Sequence, residues 1–164
     1  MIRRFGDRTT FAVEIGEVQP SSLRVVDLWA AGKRLTTHDN TAYVPSIYHY
    51  MWSAAARVRR REIPPCPFPE RSPEEIYRRL EADETEFRER HWFLSWSEIV
   101  DNVSRYAYLD ENLVIVFAFR RVDHPYPEDA GRVFVARIPP DAFAAIVEQA
   151  ADLMHVELAQ QQTG

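Results

Sequence analysis

Glu14 and Asp27 are the first residues whose types and placing could do chemistry. The stretch FAVEIGEVQPSSLRVVDLW, residues 11 to 29, reads as two strands around a turn, and its register sets these carboxylates side by side. Like charges directly opposite in a sheet are destabilising. Two close carboxylates tend to share one proton, with one pKa raised, which suits acid–base work or a hard cation. Trp29 lies on the same face and would wall a pocket beside them. The competing reading is plain: a neighbouring arginine neutralises the pair, or water does on a half-open sheet.

Other candidates are fewer. In THDN, His38 to Asn40 offer a base and a carboxylate, but adjacent residues rarely aim at one target and turns favour these types anyway. RVRRRE, with Arg57 to Arg61, is the only basic run. It ends a predicted helix, where cations suit the dipole; a nucleic-acid contact is the sharper alternative. The chain has no G-x-S-x-G, no G-x-x-x-x-G-K-[ST] and no H-E-x-x-H, and its five histidines are scattered. No metal or cofactor is expected.

These residues must be positioned by elements. Phe11, Val13 and Ile15 alternate with Ala12, Glu14 and Gly16, which is strand periodicity. With Gln19 to Ser22 as a four-residue loop, Val18 pairs with Leu23, Ile15 with Val26, Val13 with Leu28 and Phe11 with Ala30. The same register sets Glu17 against Arg24 as an exposed ion pair. A helix follows in VPSIYHYMWSAAARVRRR, with Ile47, Tyr50, Met51, Ala54, Ala55 and Val58 as its apolar stripe. Tyr48 and Trp52 fall off that stripe and form an expected exposed aromatic pair.

EIPPCPFPERSP has five prolines in twelve residues and is an extended connector. It holds Cys66, the only cysteine, which can form no internal disulfide. SPEEIYRRLEADETEFRERHW reads as one surface helix, with Ser72 as N-cap, Pro73 at N1 and Glu75 at N3. Its expected i,i+4 pairs are Glu74–Arg78, Glu75–Arg79, Glu84–Arg88 and Glu86–Arg90. Ile76, Leu80 and Phe87, with Tyr77, give it a thin apolar stripe.

RYAYLDENLVIVFAFRR is a second hairpin turning at Asp110 to Asn112, and Leu113 to Phe119 reads as a central strand. A ten-residue loop, VDHPYPEDAG, precedes the strand RVFVARI. A final helix carries Phe143, Ile146, Val147, Ala150, Leu153 and Met154, and QQTG is expected to fray. The pattern predicts an α+β chain in one domain, residues 1–164: a mainly antiparallel sheet of about five strands with about three helices packed on it.

Bulk properties narrow the function. With 164 residues and 46% hydrophobic content the chain can bury a core. No run of eighteen apolar residues suggests a membrane span, and MIRRFGDRTT lacks an apolar segment behind it, so a cytoplasmic location is expected. A net charge of −5 argues against general nucleic-acid binding. Lys33 is the only lysine among 20 basic residues, so almost every cation is a planar, bidentate donor.

FAVEI, then DLWAAGKRL, a polar turn with Asp39 and a helix resemble the opening of small immunity proteins from bacterial polymorphic-toxin systems. The likeness covers roughly the first third of the chain: an F-A-hydrophobic-E strand, a W-x-x-G-basic-basic hairpin exit and an aspartate. It implies a cytoplasmic, non-enzymatic protein that binds one cognate toxin domain and blocks its active site or substrate access. Loops on a rigid sheet carry recognition. The expected contact residues are therefore Asp123, His124, Tyr126, Glu128 and Asp129, with Asp110 and Glu111 second if that tip lies at the same end of the sheet. The alternative is a small enzyme or ligand-binding domain built on Glu14, Asp27 and Trp29.

Overall fold

The computed structural model describes residues 1–163. Its first sheet begins with a strand that the charged N-terminus hides, β1 (Arg3–Asp7), followed by β2 (Phe11–Gln19) and β3 (Leu23–Ala30). All pairings are antiparallel in the order β1-β2-β3, with β4 (Lys33–Arg34) and β5 (Thr41–Tyr43) both on the far edge of β3. A second antiparallel sheet is formed by β6 (Val103–Leu109), β7 (Leu113–Phe119) and β8 (Phe134–Ile138). Helices α1 (Val44–Arg59), α2 (Pro73–Ala82), α3 (Glu86–Glu89) and α4 (Pro140–Thr163) complete an α+β fold. The described residues form eight strands in two sheets rather than about five in one; β1, β4 and β5 carry too few apolar residues to declare themselves.

The central pairing is as the alternation predicts: Phe11 faces Ala30, Val13 faces Leu28 and Ile15 faces Val26, all six fully buried. Beyond Ile15 the register changes. The turn has three residues, Pro20 to Ser22, with Ser21 and Ser22 in the left-handed region at φ 63° and 66°. Gly16 and Glu17 oppose Val25 alone, a bulge that exchanges the two faces beyond it. Val18 therefore pairs with Arg24 and turns to solvent, and the expected Glu17–Arg24 pair does not form. Arg24 is buried instead; its Nε donates to the Gly16 carbonyl at 2.8 Å and its Nη2 reaches Glu157 on α4 at 3.4 Å.

α1 and α4 pack against each other and against the inner face of the first sheet. Phe143 of α4 lies 4.8 Å from Phe11, and Trp96 meets Phe11 edge-on at 6.5 Å. Five of the six residues expected for the α1 stripe are buried; Tyr50 is exposed. Tyr48 and Trp52 are not an exposed pair. Both are half-buried against the core, and Tyr48 stacks on His155 of α4 at 4.4 Å. α4 continues through Thr163, so the expected fraying does not start at Gln161; Gly164 lies outside the described residues.

The second sheet shows period-two logic on both faces. Val103, Ala107, Leu113, Ile115 and Phe117 join the main core. Tyr106, Tyr108, Val114 and Val116 point the other way and are covered by Ile76, Tyr77 and Leu80 of α2. Burial raises the Tyr108 pKa to about 12. The helix expected to run through Trp92 breaks at Ala82. Asp83 takes the Thr85 N–H and hydroxyl, and Thr85 then accepts from Phe87 N–H to start α3. Ser72 caps α2 as expected, accepting Glu75 N–H at 3.2 Å. Of the expected i,i+4 pairs only Glu75–Arg79 forms, at 3.7 Å.

The β1–β2 turn is set by Asp7, whose carboxylate accepts the Thr9 N–H at 2.8 Å and the Thr9 hydroxyl at 2.6 Å. Gly6 has φ +92°, and a Cβ there would lie 2.2 Å from the Phe11 carbonyl oxygen. Gly32 also has positive φ, at +76°, but open space around it. Urea denaturation is expected to show Gly6→Ala losing about 2–4 kcal/mol and Gly32→Ala about 1 kcal/mol. Equal losses at the two positions would contradict the close approach at Gly6.

Candidate functional site

Glu14 does sit opposite Asp27, and Trp29 opposite Ala12, as the register predicts. What the sequence reading lacks is β1, which sets Arg4 on the other side of Glu14. Arg4 Nε reaches Glu14 Oε2 at 2.9 Å. Arg8, from the β1–β2 turn, grips the same carboxylate with two bonds, Nε to Oε2 at 2.5 Å and Nη2 to Oε1 at 2.8 Å. Its guanidinium also lies over the Trp29 ring at 4.1 Å. Glu14 is only 4% exposed beneath these groups.

The Arg8 hydrogen bonds hold the Glu14 carboxyl below its usual value; burial opposes this and the Arg4 bond adds to it. The raised pKa that a shared proton would require is therefore not found at Glu14. Asp27 has its own partners: the Thr36 hydroxyl at 2.6 Å, the Asn40 amide at 3.4 Å and Arg34 at 3.9 Å. The row across the sheet runs Arg4, Glu14, Asp27 and then polar donors, so the paired carboxylates are neutralised from both sides.

The loop between β7 and β8 is exposed along most of its length but anchored at one buried residue. Asp129 is 1% exposed, and its Oδ1 accepts from Lys33 Nζ of β4 at 2.8 Å. Its Oδ2 lies 2.8 Å from His124 Nε2. A carboxylate only accepts, so Nε2 carries the proton. His124 stacks on Phe119 with centroids 4.0 Å apart. Burial works against ionising Asp129, but the hydrogen bonds from Lys33 and His124 outweigh it and hold its pKa below the usual value. Asp129 is thus corrected from surface contact to internal anchor.

The remaining loop residues are placed differently. Asp123 is exposed and pairs with Arg121 at 2.9 Å and with His38 at 3.2 Å. The Arg121 hydrogen bond brings its pKa down to about 2. Asp39 does not orient His38; it accepts the Thr41 N–H at 2.9 Å. Tyr126 is 45% exposed, and Glu128 is exposed with no cationic partner among the described residues. Asp110 and Glu111 are exposed too, but they precede β7 while the loop follows it. The seven residues of β7 separate the two by about 20 Å, so the tip is not part of this surface.

Two candidates named separately come together. Trp29 and Tyr126 line one cavity of about 240 Å³ with Lys33, Arg34, Phe119 and Glu128. Tyr126 also lines a second cavity of about 250 Å³, with Val122, His124 and Pro127. Neither cavity is lined by Glu14 or Asp27. Arg4, Arg8 and Lys33 escaped the sequence reading; a signal existed in Lys33, a lone lysine at a hairpin exit.

The basic run is also engaged. Arg59 makes a bidentate pair with Glu148 of α4 at 2.8 and 2.6 Å, Arg60 pairs with Glu62, and Arg61 with Asp141. No helix among the described residues is long and apolar enough to cross a membrane. No His, Cys, Asp and Glu cluster suited to a metal occurs among them. Comparison with protein-family models, curated proteins and solved structures yields no match.

Glu14→Gln removes the negative charge that two arginines share. The contribution of Glu14 is in place above its ordinary value of 4.5 and is lost as pH falls through the lowered folded value. Urea melts at pH 7 are expected to show Glu14→Gln less stable by about 1–3 kcal/mol. The gap to wild type narrows below about pH 4. A gap that is unchanged between pH 7 and pH 3 would contradict this assignment.

Proposed function

We propose that the chain is an immunity protein, which binds a cognate toxin domain and blocks it by docking the β7–β8 loop. The observation that carries this reading is Tyr126, held exposed between two cavities on a loop anchored from inside by Asp129. Preorganised loops lose little entropy on binding, so more of the contact energy appears as affinity. Buried aromatic anchors commonly dominate such interfaces.

The geometry changes the kind of contact expected. With Asp129 internal and Asp123 paired to Arg121, Glu128 is the loop acid left to meet a basic partner. Apolar contact from Tyr126, the fully exposed Val122 and the flanking prolines carries most of the docking. The alternative, a small enzyme or ligand-binding domain, retains Trp29 as a cavity wall. Its carboxylates are occupied by arginine and lie outside that cavity.

The test is a calorimetric titration against the cognate toxin domain, to be sought in the gene immediately upstream. Tyr126→Ala is expected to weaken binding more than tenfold with an unchanged melting temperature. Asp129→Asn is expected to lower the melting temperature as well, since it removes the buried charge that pairs with Lys33. Undiminished affinity of Tyr126→Ala, or no binding by wild type, would remove this reading.

A further inference from the structure

Three arginines gather at the β6 edge: Arg105 and Arg120 have no carboxylate partner among the described residues, and Arg88 has one only at 3.8 Å. We propose that the cavity walled by Arg88, Arg105 and Arg120 is a binding site for the phosphate group of a small molecule. The cavity measures about 220 Å³ and also takes in Trp92, Ser95 and Ser104.

Arg105 stands in the row Val103, Arg105, Ala107 of β6, whose other members belong to the core. It is half-buried, and its Nε and Nη1 donate to the carbonyls of Leu94 at 2.8 Å and Val103 at 3.0 Å. Arg120 donates from Nε to the Asp101 carbonyl at 2.7 Å. Neither guanidinium has a carboxylate partner among the described residues, and the rest of their N–H groups have no protein acceptor. Arg88 has a buried Nε with no partner; its Nη1 donates to the Glu81 carbonyl at 3.4 Å and its Nη2 lies 3.8 Å from Glu81 Oε1.

The two acids nearby do not close this account. Glu81 is engaged by the Tyr106 hydroxyl at 2.5 Å and the Ser104 hydroxyl at 3.3 Å. Asp101 lines the rim, but its carboxylate bonds none of the three arginines. Burial, with a smaller push from the neighbouring Arg120, brings the Arg105 pKa down to about 10. Arg105 and Arg120 have no carboxylate within 4 Å among the described residues and Arg88 has only Glu81 at 3.8 Å, whereas Arg4, Arg8, Arg59, Arg60, Arg61 and Arg121 make closer pairs.

A tetrahedral dianion fits donors that converge from three elements better than a planar carboxylate, which two parallel N–H groups already satisfy. The volume falls below the roughly 300 Å³ at which drug-sized pockets begin, so it suits a phosphate rather than a whole cofactor. Trp92 stands at the rim, 49% exposed, with a flat face for a ring attached to that phosphate. Free phosphate and a nucleotide phosphate share the chemistry; Trp92 separates them.

The test is calorimetry at low ionic strength with inorganic phosphate, AMP and adenosine. Phosphate and AMP are expected to bind with Kd below about 1 mM, and adenosine not to bind. Arg120→Gln, at an exposed position, is expected to weaken both at least tenfold with an unchanged melting temperature; Arg105→Gln does the same if it folds. Arg78→Gln, on the exposed face of α2, leaves binding unchanged. AMP binding ten times tighter than phosphate, and reduced to the phosphate level by Trp92→Ala, assigns the nucleotide; equal binding assigns free phosphate. The proposal is overturned if neither anion binds at about 10 mM, if adenosine binds as well as AMP, or if Arg120→Gln binds like wild type. No toxin domain enters this titration, so its result is separate from that of the loop.

Discussion

A carboxylate without water is the constraint on which the loop depends. Taking an ionised carboxylate out of water costs several kcal/mol unless charge and hydrogen bonds offset it. Asp129 meets that demand with Lys33 from one sheet and His124 from its own loop. Lys33 in turn lies over the Phe134 ring at 5.2 Å, and His124 over Phe119. One buried charge thus ties the β3–β4 corner of the first sheet to the β7–β8 loop of the second. The cavities on either side of Tyr126 take their shape from that tie.

Glu14 obeys the same rule at a second place. Its carboxylate is held by arginines from a strand and a turn that carry little apolar surface of their own. β1 is an edge strand with exposed residues at four of its five positions. The ion pairs give it a fixed place that hydrophobic burial alone would not. Charge here acts as structure, and the loop that the second carboxylate fixes carries the exposed Tyr126. The same arginine-rich composition leaves Arg105 and Arg120, at the β6 edge, with backbone carbonyls in place of a carboxylate.

Much of this was legible in the residues. Alternation from Phe11 to Ile15 sets the central pairs, and Ser72 with Pro73 announces α2. The bulge at Gly16 was not legible, because two consecutive serines in the left-handed region are rare and shift the register by one residue. Asp83 and Thr85 could have been read as a stop and restart, since their side chains compete with the helix for backbone N–H groups. Asp129 looked like a loop acid because its partner, Lys33, is far away in sequence. Arg105 did leave a trace, a charge in the inward row of a strand, which is the kind of local conflict that marks a site.

The central claim is that an internal ion pair makes the β7–β8 loop rigid. Hydrogen exchange measured at Asp129, Ala130 and Arg132 tests it most directly, because their amides donate to the carbonyls of Tyr126, Pro127 and Asp129 at 3.0–3.1 Å. The account predicts protection of these amides in wild type and its loss in Lys33→Met, with the amides of β2 unaffected. Rapid exchange of these amides in wild type, or equal protection in Lys33→Met, would contradict it.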